Sequence, residues 1–257
     1  IQVAYLRRSM SSLEAGTKYL ILGALSTGFL VYGITWFFGA TGQTNLVAIR
    51  EVLPLLPVAN HPAILFGLAL VLVALGFKIA AAPFQFWVPD VYQGSPTPVT
   101  AFMAAVTKVA AFGAAIRIYY FAVGGLVWSW RPILIAISIA TMAIGTVIAI
   151  AQKDVKRVLA YSAIAHSGFL LTGIIALSKD GLDAILIYLF TYGFATIGTF
   201  AIVTLVRDSG GEVSDLNRWA GLGKRSPLVA GTFTLFLLGL AGIPLTSGFI
   251  GKFSIFS

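Results

Sequence analysis

Apolar residues run along this chain in blocks of about 20, the length an α-helix needs to cross the hydrocarbon core of a bilayer, and polar residues collect between the blocks. The blocks predict seven transmembrane segments at approximately 18–40, 63–92, 98–121, 133–152, 155–177, 183–206 and 227 to the end. Most connections are short. Only 41–62 and 207–226 are long enough to carry structure of their own, and the opening QVAYLRR reads as the exit of a preceding helix.

Two of the seven blocks are interrupted. The second holds Lys78 with Pro83 and Pro89 just beyond it, and a helix-interior proline removes a backbone hydrogen bond and collides with the preceding turn. In the seventh, Gly242, Pro244, Gly248 and Gly251 lead to Lys252. The two blocks are an odd number of crossings apart, so they run in opposite directions. Interrupted segments at matching places in two oppositely oriented halves are the pattern of inverted-repeat transporters, and they point to the ion path.

Composition turns this pattern into a class. With 58% hydrophobic residues, 10% charged residues and a mean hydropathy of +0.94, the chain is a membrane protein, far from the roughly 25% charge of a globular domain. Its net charge of +8 lies in connections between apolar runs, which argues against a nucleic-acid surface. One set of alternate connections carries Arg7, Arg8, Lys153, Lys156, Arg157, Arg207, Arg218, Lys224 and Arg225, against Arg50, Arg131 and Lys179 on the other, with Arg117 nearby. By the positive-inside rule the first side is cytoplasmic. There is no cysteine, which excludes disulfides and cysteine-ligated iron-sulfur clusters within these residues. Two histidines without an acid in an apolar run make a poor metal site. No signal peptide is evident, and the sequence reads as the interior of a longer protein.

The candidate chemistry lies in the charges inside the blocks, because an ionisable residue in a transmembrane segment is a functional hypothesis by default. Helix rise places Lys108 about 15 Å beyond Pro98, and His166 about 15 Å beyond Lys156, near the middle of the core. Lys78 and Lys252 sit beside the interruptions, where water or polar backbone can reach them. Lys18 lies at a helix entrance within an (i, i+4) pair with Glu14, and snorkelling alone would account for it. Asp90 reads as a helix-end residue. Burial disfavours the charged form of an amine or imidazole, so such groups can take up and release protons. No acid lies in any block, so a carboxylate partner for the deep lysines is expected from outside these residues.

Four stretches carry a resemblance: SSLEAGTKYLILGA, GFKIAAAPFQFWVPDVYQGSPTPVTAF, KRVLAYSAIAHSGF and LAGIPLTSGFIGKF. In this order, spanning nearly the whole chain, they resemble the N-type antiporter-like subunits of respiratory complex I. The resemblance implies an all-α, polytopic transmembrane bundle of about fourteen helices, built as inverted repeats with two broken helices. Residues 1–257 would form a single transmembrane domain containing helices six to twelve. It implies a proton relay through Lys18, Lys78, Lys108, His166 and Lys252, with the family's glutamate on the helix before Ile1. It further implies a subunit of a bacterial NADH:quinone oxidoreductase in the plasma membrane, partnered by lipid and by the other membrane-arm subunits. NAD, flavin, iron-sulfur clusters and quinone would belong to those partners, leaving no cofactor in this chain.

One position departs from the family pattern. Where PFHxW is usual, this chain has Pro83-Phe84-Gln85-Phe86-Trp87; Gln85 can hold water but cannot carry a proton. Two alternatives remain, a subunit of a multi-subunit sodium/proton antiporter and a spacer that supports the membrane arm without pumping.

Overall fold

The computed structural model describes residues 2–6, 9–209 and 211–256, so Arg7 and Arg8 lie outside the described residues. Among the described residues, six helices are long and apolar enough to cross a membrane: Met10–Thr41, Val58–Ile79, Thr97–Ala122, Gly124–Ile150, Val155–Ala176 and Lys179–Leu205. The seventh block is two shorter helices, α11 (Pro227–Ala241) and α12 (Ser247–Phe256). The chain is therefore a multi-pass membrane protein, with broken elements at the two places where proline and glycine interrupt the apolar blocks.

The first helix, α1 (Met10–Thr41), begins eight residues before its apolar block because Ser9 caps it, its hydroxyl accepting the Ser12 N–H at 3.4 Å. It ends on Gly42, which adopts a left-handed conformation. Residues 2–6 include a turn that rests on this helix, and the Ser12 hydroxyl donates to Val3 O at 2.9 Å. The long connection after α1 holds the short α2 (Leu46–Val52). Next, α3 (His61–Ile79) returns along α1, with the Ser26 hydroxyl donating to Ala74 O at 3.2 Å, and α4 (Trp87–Gly94) completes the crossing. The third span comprises α5 (Thr97–Phe102), a π-helical stretch at Met103–Thr107, α6 (Lys108–Ile116) and a second π-helical stretch at Arg117–Ala122. Then α7 (Val127–Ile150) packs along α8 (Val155–Ala176), and α9 (Lys179–Leu205) crosses beside α5, α8, α11 and α12.

The connection after α9 is structured. Strand β1 (Arg207–Asp208) pairs antiparallel with β2 (Gly211–Glu212), and α10 (Leu222–Arg225) leads into α11. Backbone bonds from Val155 N to Ser214 O (2.8 Å) and from Leu216 N to Lys153 O (2.9 Å) tie it to the start of α8. Many of the lysines and arginines assigned to the positive side thus share one end of the bundle, the basic side. The second and seventh segments run in opposite directions, the former toward this side and the latter away from it.

Irregular backbone at membrane depth is tolerated where protein satisfies its polar groups, and the first break shows how. Ala80 takes a left-handed conformation (φ 63°), and Ala81 N donates to Gly76 O at 2.8 Å. The Trp87 indole N–H donates to Phe77 O at 3.0 Å, Ala82 N to the Thr141 hydroxyl of α7 at 2.9 Å, and the Ser167 hydroxyl of α8 to Ile79 O. In the second break, Gly242 (φ 77°) turns the chain, and N–H groups of Gly242 and Ile243 donate to Leu238 O at 3.0 and 3.1 Å. A Cβ on Gly248 would collide with Gly239 O, so the two half-helices close only over a glycine.

Candidate functional site

Lys108 sets the depth of the site. Its helix is widened by the π-helical turn immediately before it, a geometry often found where a helix must aim a functional side chain. The amine is 2% exposed, donates to Ala163 O of α8, and lies 5.2 Å from the centre of the Tyr192 ring of α9. Among the described residues it makes no ion pair. A hydrated ammonium would be costly to move there; a carbonyl and an aromatic face replace part of its water.

From Lys108 polar contacts extend both ways at one depth. Ala163 O also accepts from the Ser167 hydroxyl at 3.1 Å, and the same hydroxyl reaches Ile79 O, the residue after Lys78. Ser167 has a single proton and can give it to one carbonyl at a time. In the other direction stands His166, buried, with Nδ1 hydrogen-bonded to the Tyr188 hydroxyl and its ring 5.1 Å from that of Tyr192. Beyond it the Phe169 ring lies 5.7 Å from the imidazole and 5.0 Å from the Lys252 amine. Lys252 folds back across the second break and donates to Ala241 O at 2.9 Å, the last residue of α11, where the helix dipole places negative charge.

Lys78 belongs to this level but faces differently. It lies one turn beyond Ala74, which is fastened to the middle of α1 by Ser26. Its side chain is exposed on the surface of the chain, with the neighbouring Phe77 ring 5.8 Å from the amine. Gln85, in the same break, is buried, and its side-chain oxygen has no hydrogen-bond partner among the described residues.

Lys18 stands apart from the row, about two turns of α1 nearer the basic side than Ser26. Its amine pairs with Glu14 at 2.6 Å, as the spacing predicts, and with Asp90 at 2.7 Å. Asp90 is the shared acceptor of an ion cluster, since Arg157 also donates to it at 2.8 Å. It lies in the first turn of α4, at the helix end as expected.

Sequence reasoning misses several residues of this region. Lys156, which the charge pattern assigns to a solvated loop, is buried in the first turn of α8; it donates to Ser95 O at 3.1 Å and lies 3.6 Å from Glu212. Ser167, Tyr188 and Tyr192 escape notice because hydroxyl-bearing residues barely interrupt an apolar block. The (i, i+4) spacing of Tyr188 and Tyr192, on a helix that also carries Thr196, is the available signal. Together the amines, imidazole and hydroxyls make a connected set of polar groups, held at one depth by three helices and two helix breaks.

The fold and sequence have relatives. Residues 2–257 match the transmembrane family described as NADH:quinone oxidoreductase/Mrp antiporter. NADH-quinone oxidoreductase subunit N of Parafrankia sp. (strain EAN1pec) is 54% identical over 250 residues, covering 97% of this chain and 47% of that protein. A chain in the structure of respiratory complex I from Thermus thermophilus with bound aureothin superposes with a TM-score of 0.80 at 39% identity, covering 97% of this chain and 53% of that one. A chain of the Mrp complex from Dietzia sp. DQ12-45-1b gives 0.87 at 27% identity, covering 96% and 45%. This chain thus spans about half the length of the relatives it matches. With the family profile matched across nearly every residue, this chain belongs to the NADH:quinone oxidoreductase/Mrp antiporter transmembrane family.

Proposed function

We propose that the chain is the proton-conducting part of an N-type membrane subunit of NADH:quinone oxidoreductase, set in a bacterial plasma membrane among the other membrane-arm subunits. Lys78, Lys108, His166 and Lys252 are its relay. Lys18, held in the ion cluster at the basic side, modulates that relay electrostatically and does not carry the proton at mid-depth. Electron transfer takes place in partner subunits that hold NAD, flavin, iron-sulfur clusters and quinone, and this chain supplies none of those groups.

The observation that carries the proposal is the Lys108 amine, buried at mid-depth without an ion pair among the described residues and in contact with both α8 and the tyrosine that packs on His166. An amine that is only structural would be replaced by a better-packing apolar side chain; one that changes protonation needs this semi-polar setting. Lys78, exposed on the outer face, meets an acid supplied by the part of the protein outside this chain. Charging one amine discharges its neighbour, because two unit charges about 8 Å apart at an effective dielectric of 20 repel by about 2 kcal/mol.

In the assembled enzyme, reconstituted in vesicles, Lys108→Met is expected to lower the number of protons moved per electron while NADH oxidation and assembly persist. An unchanged ratio refutes the relay. Fold likeness alone also suits a sodium antiporter, since the Dietzia Mrp chain superposes with the higher TM-score. Sequence identity supports the oxidoreductase, and sodium-dependent transport by the purified complex would favour the antiporter.

A further inference from the structure

The end of the bundle opposite the basic side holds two adjoining hollows that the relay does not use. The larger, about 720 Å³, lies between the α2 connection, the start of α3 and the end of the third span, and Arg50, His61, Tyr120, Gly124, Leu126 and Leu177 are among its lining residues. No carboxylate lines it. The side chains of Arg50 and His61 make no hydrogen bond or ion pair among the described residues. Two long helices start at its wall, α3 at His61 and α7 just after Leu126, both without a side-chain cap, and a helix start carries partial positive charge. At Ala176, next to Leu177 in the chain, Arg131 Nη2 donates to the carbonyl at 3.5 Å while its buried Nε–H has no partner. The hollow therefore suits an anion.

The smaller hollow, about 160 Å³, shares Ala122 with the first, and successive residues of α2 line the two, Ile49 the smaller and Arg50 the larger. Its walls are mostly apolar, with Leu30, Ile34, Phe37, Val71 and Ile118 among them. An apolar cavity of about 150 Å³ stays dry and accepts a hydrocarbon group. Helix rise puts Leu30 about 16 Å inward from the end of α1 and Val71 about 15 Å inward from the start of α3, which is one half of a roughly 30 Å core. Charge at the interface and an apolar slot reaching toward the bilayer centre match the two ends of one amphiphile. Free phosphate would use only the first hollow. Val58, which lines that hollow, and the nearby Leu55 are exposed, as suits a site open to lipid.

We infer that the paired hollows hold one anionic phospholipid of the outer leaflet, its phosphate on Arg50 and His61 and part of one acyl chain in the slot behind α2. The leaflet follows from the charge asymmetry, which puts the basic side in the cytoplasm. The inference does not rest on the relay; it needs only that the chain spans a membrane.

Photolabelling of the assembled enzyme in lipid-depleted detergent micelles tests this, with phosphatidylglycerol carrying a diazirine on one acyl chain as the probe and the labelled peptides mapped by mass spectrometry. Label is expected within residues 30–37, at Val71 or within 118–123, lowered about tenfold by excess unlabelled phosphatidylglycerol and little changed by phosphatidylcholine or inorganic phosphate. Arg50→Gln combined with His61→Gln is expected to lower it about tenfold, Arg50→Lys to keep most of it, and Arg225→Gln, on the basic side, to leave it unchanged. Equal competition by phosphatidylcholine overturns the inference, since the slot would then read hydrocarbon alone. Displacement by inorganic phosphate makes the larger hollow a free-anion site and overturns it too, as does an absence of label in these segments, which would mean that protein covers them. These competition experiments use the unsubstituted enzyme, so they decide the matter even where a variant fails to assemble. Full labelling of an assembled Arg50→Gln, His61→Gln variant, or equal loss in Arg225→Gln, removes the two side chains from the site.

Discussion

In the first break, between α3 and α4, the carbonyl of Phe77 is held by the indole N–H of Trp87; in the second, between α11 and α12, the carbonyl of Ala241 is held by the amine of Lys252. One cap is neutral at every pH and the other gains and loses charge. The surroundings are inverted as well. Ala80, Ala81, Ala82 and Trp87 are buried while the nearby Lys78 faces outward, whereas α11 has no buried residue among those described, Leu245 is fully exposed, and Lys252 turns inward to Phe169. A charged donor forms a hydrogen bond about twice as strong as a neutral one. The cap of the second break is therefore coupled to the charge on Lys252, and the first is a fixed frame. On the proposed relay, a change of charge at Lys252 has a mechanical consequence at the second break only.

The largest effect expected from this contrast is at Gly248. A side chain there collides with the Gly239 carbonyl, a backbone atom that cannot swing aside. Gly248→Val is expected to abolish the subunit from the purified complex, read as its absence on a denaturing gel. Normal assembly would show that the second break can open without cost, and the distinction between the two breaks would fail.

Next in size come the caps. Lys252→Met and Trp87→Phe each leave a carbonyl at membrane depth without its side-chain donor, a loss of about 1–3 kcal/mol, read as a lowered midpoint of thermal unfolding of the complex. Their activities should separate. Trp87→Phe is expected to pump at its normal proton-to-electron ratio, because the frame it weakens carries no charge, and Lys252→Met is expected to lose pumping. Equal losses in both would mean that the first break also responds to protonation.

Much of this contrast is legible in the chain and some of it is not. Lysine in an apolar block and proline or glycine beside it are strong local signals, so Lys78, Lys108, Lys252 and both interruptions stand out from the residue pattern alone. The direction in which each lysine faces depends on which helices pack around it, a tertiary property without local trace. The burial of Lys156 is of the same kind: it opens α8 in a basic connection, and only the fold of the later connection brings Glu212 to it. The hydroxyl face of α9 is intermediate. Its spacing can be read, but tyrosine and threonine lower hydropathy too little to stand out from the apolar block.

The smallest effect has the opposite sign and concerns Ala80. At φ 63° this residue adopts the left-handed conformation that costs an L-amino acid with a side chain roughly 1–2 kcal/mol, and that glycine enters freely. Glycine also gives the unfolded chain more freedom, which offsets part of the gain. The corresponding position of the second break, the residue that caps α11, is already Gly242. Ala80→Gly is thus expected to raise stability by about 0.5–1 kcal/mol, a small upward shift in the thermal midpoint, with pumping unchanged. A fall instead would mean that the Ala80 methyl, buried beside Trp87 and Phe77, contributes more by packing than its backbone loses. The first break would then owe its rigidity to packing around the turn more than to its hydrogen bonds, and the comparison with the glycine-built second break would have to be redrawn on that basis.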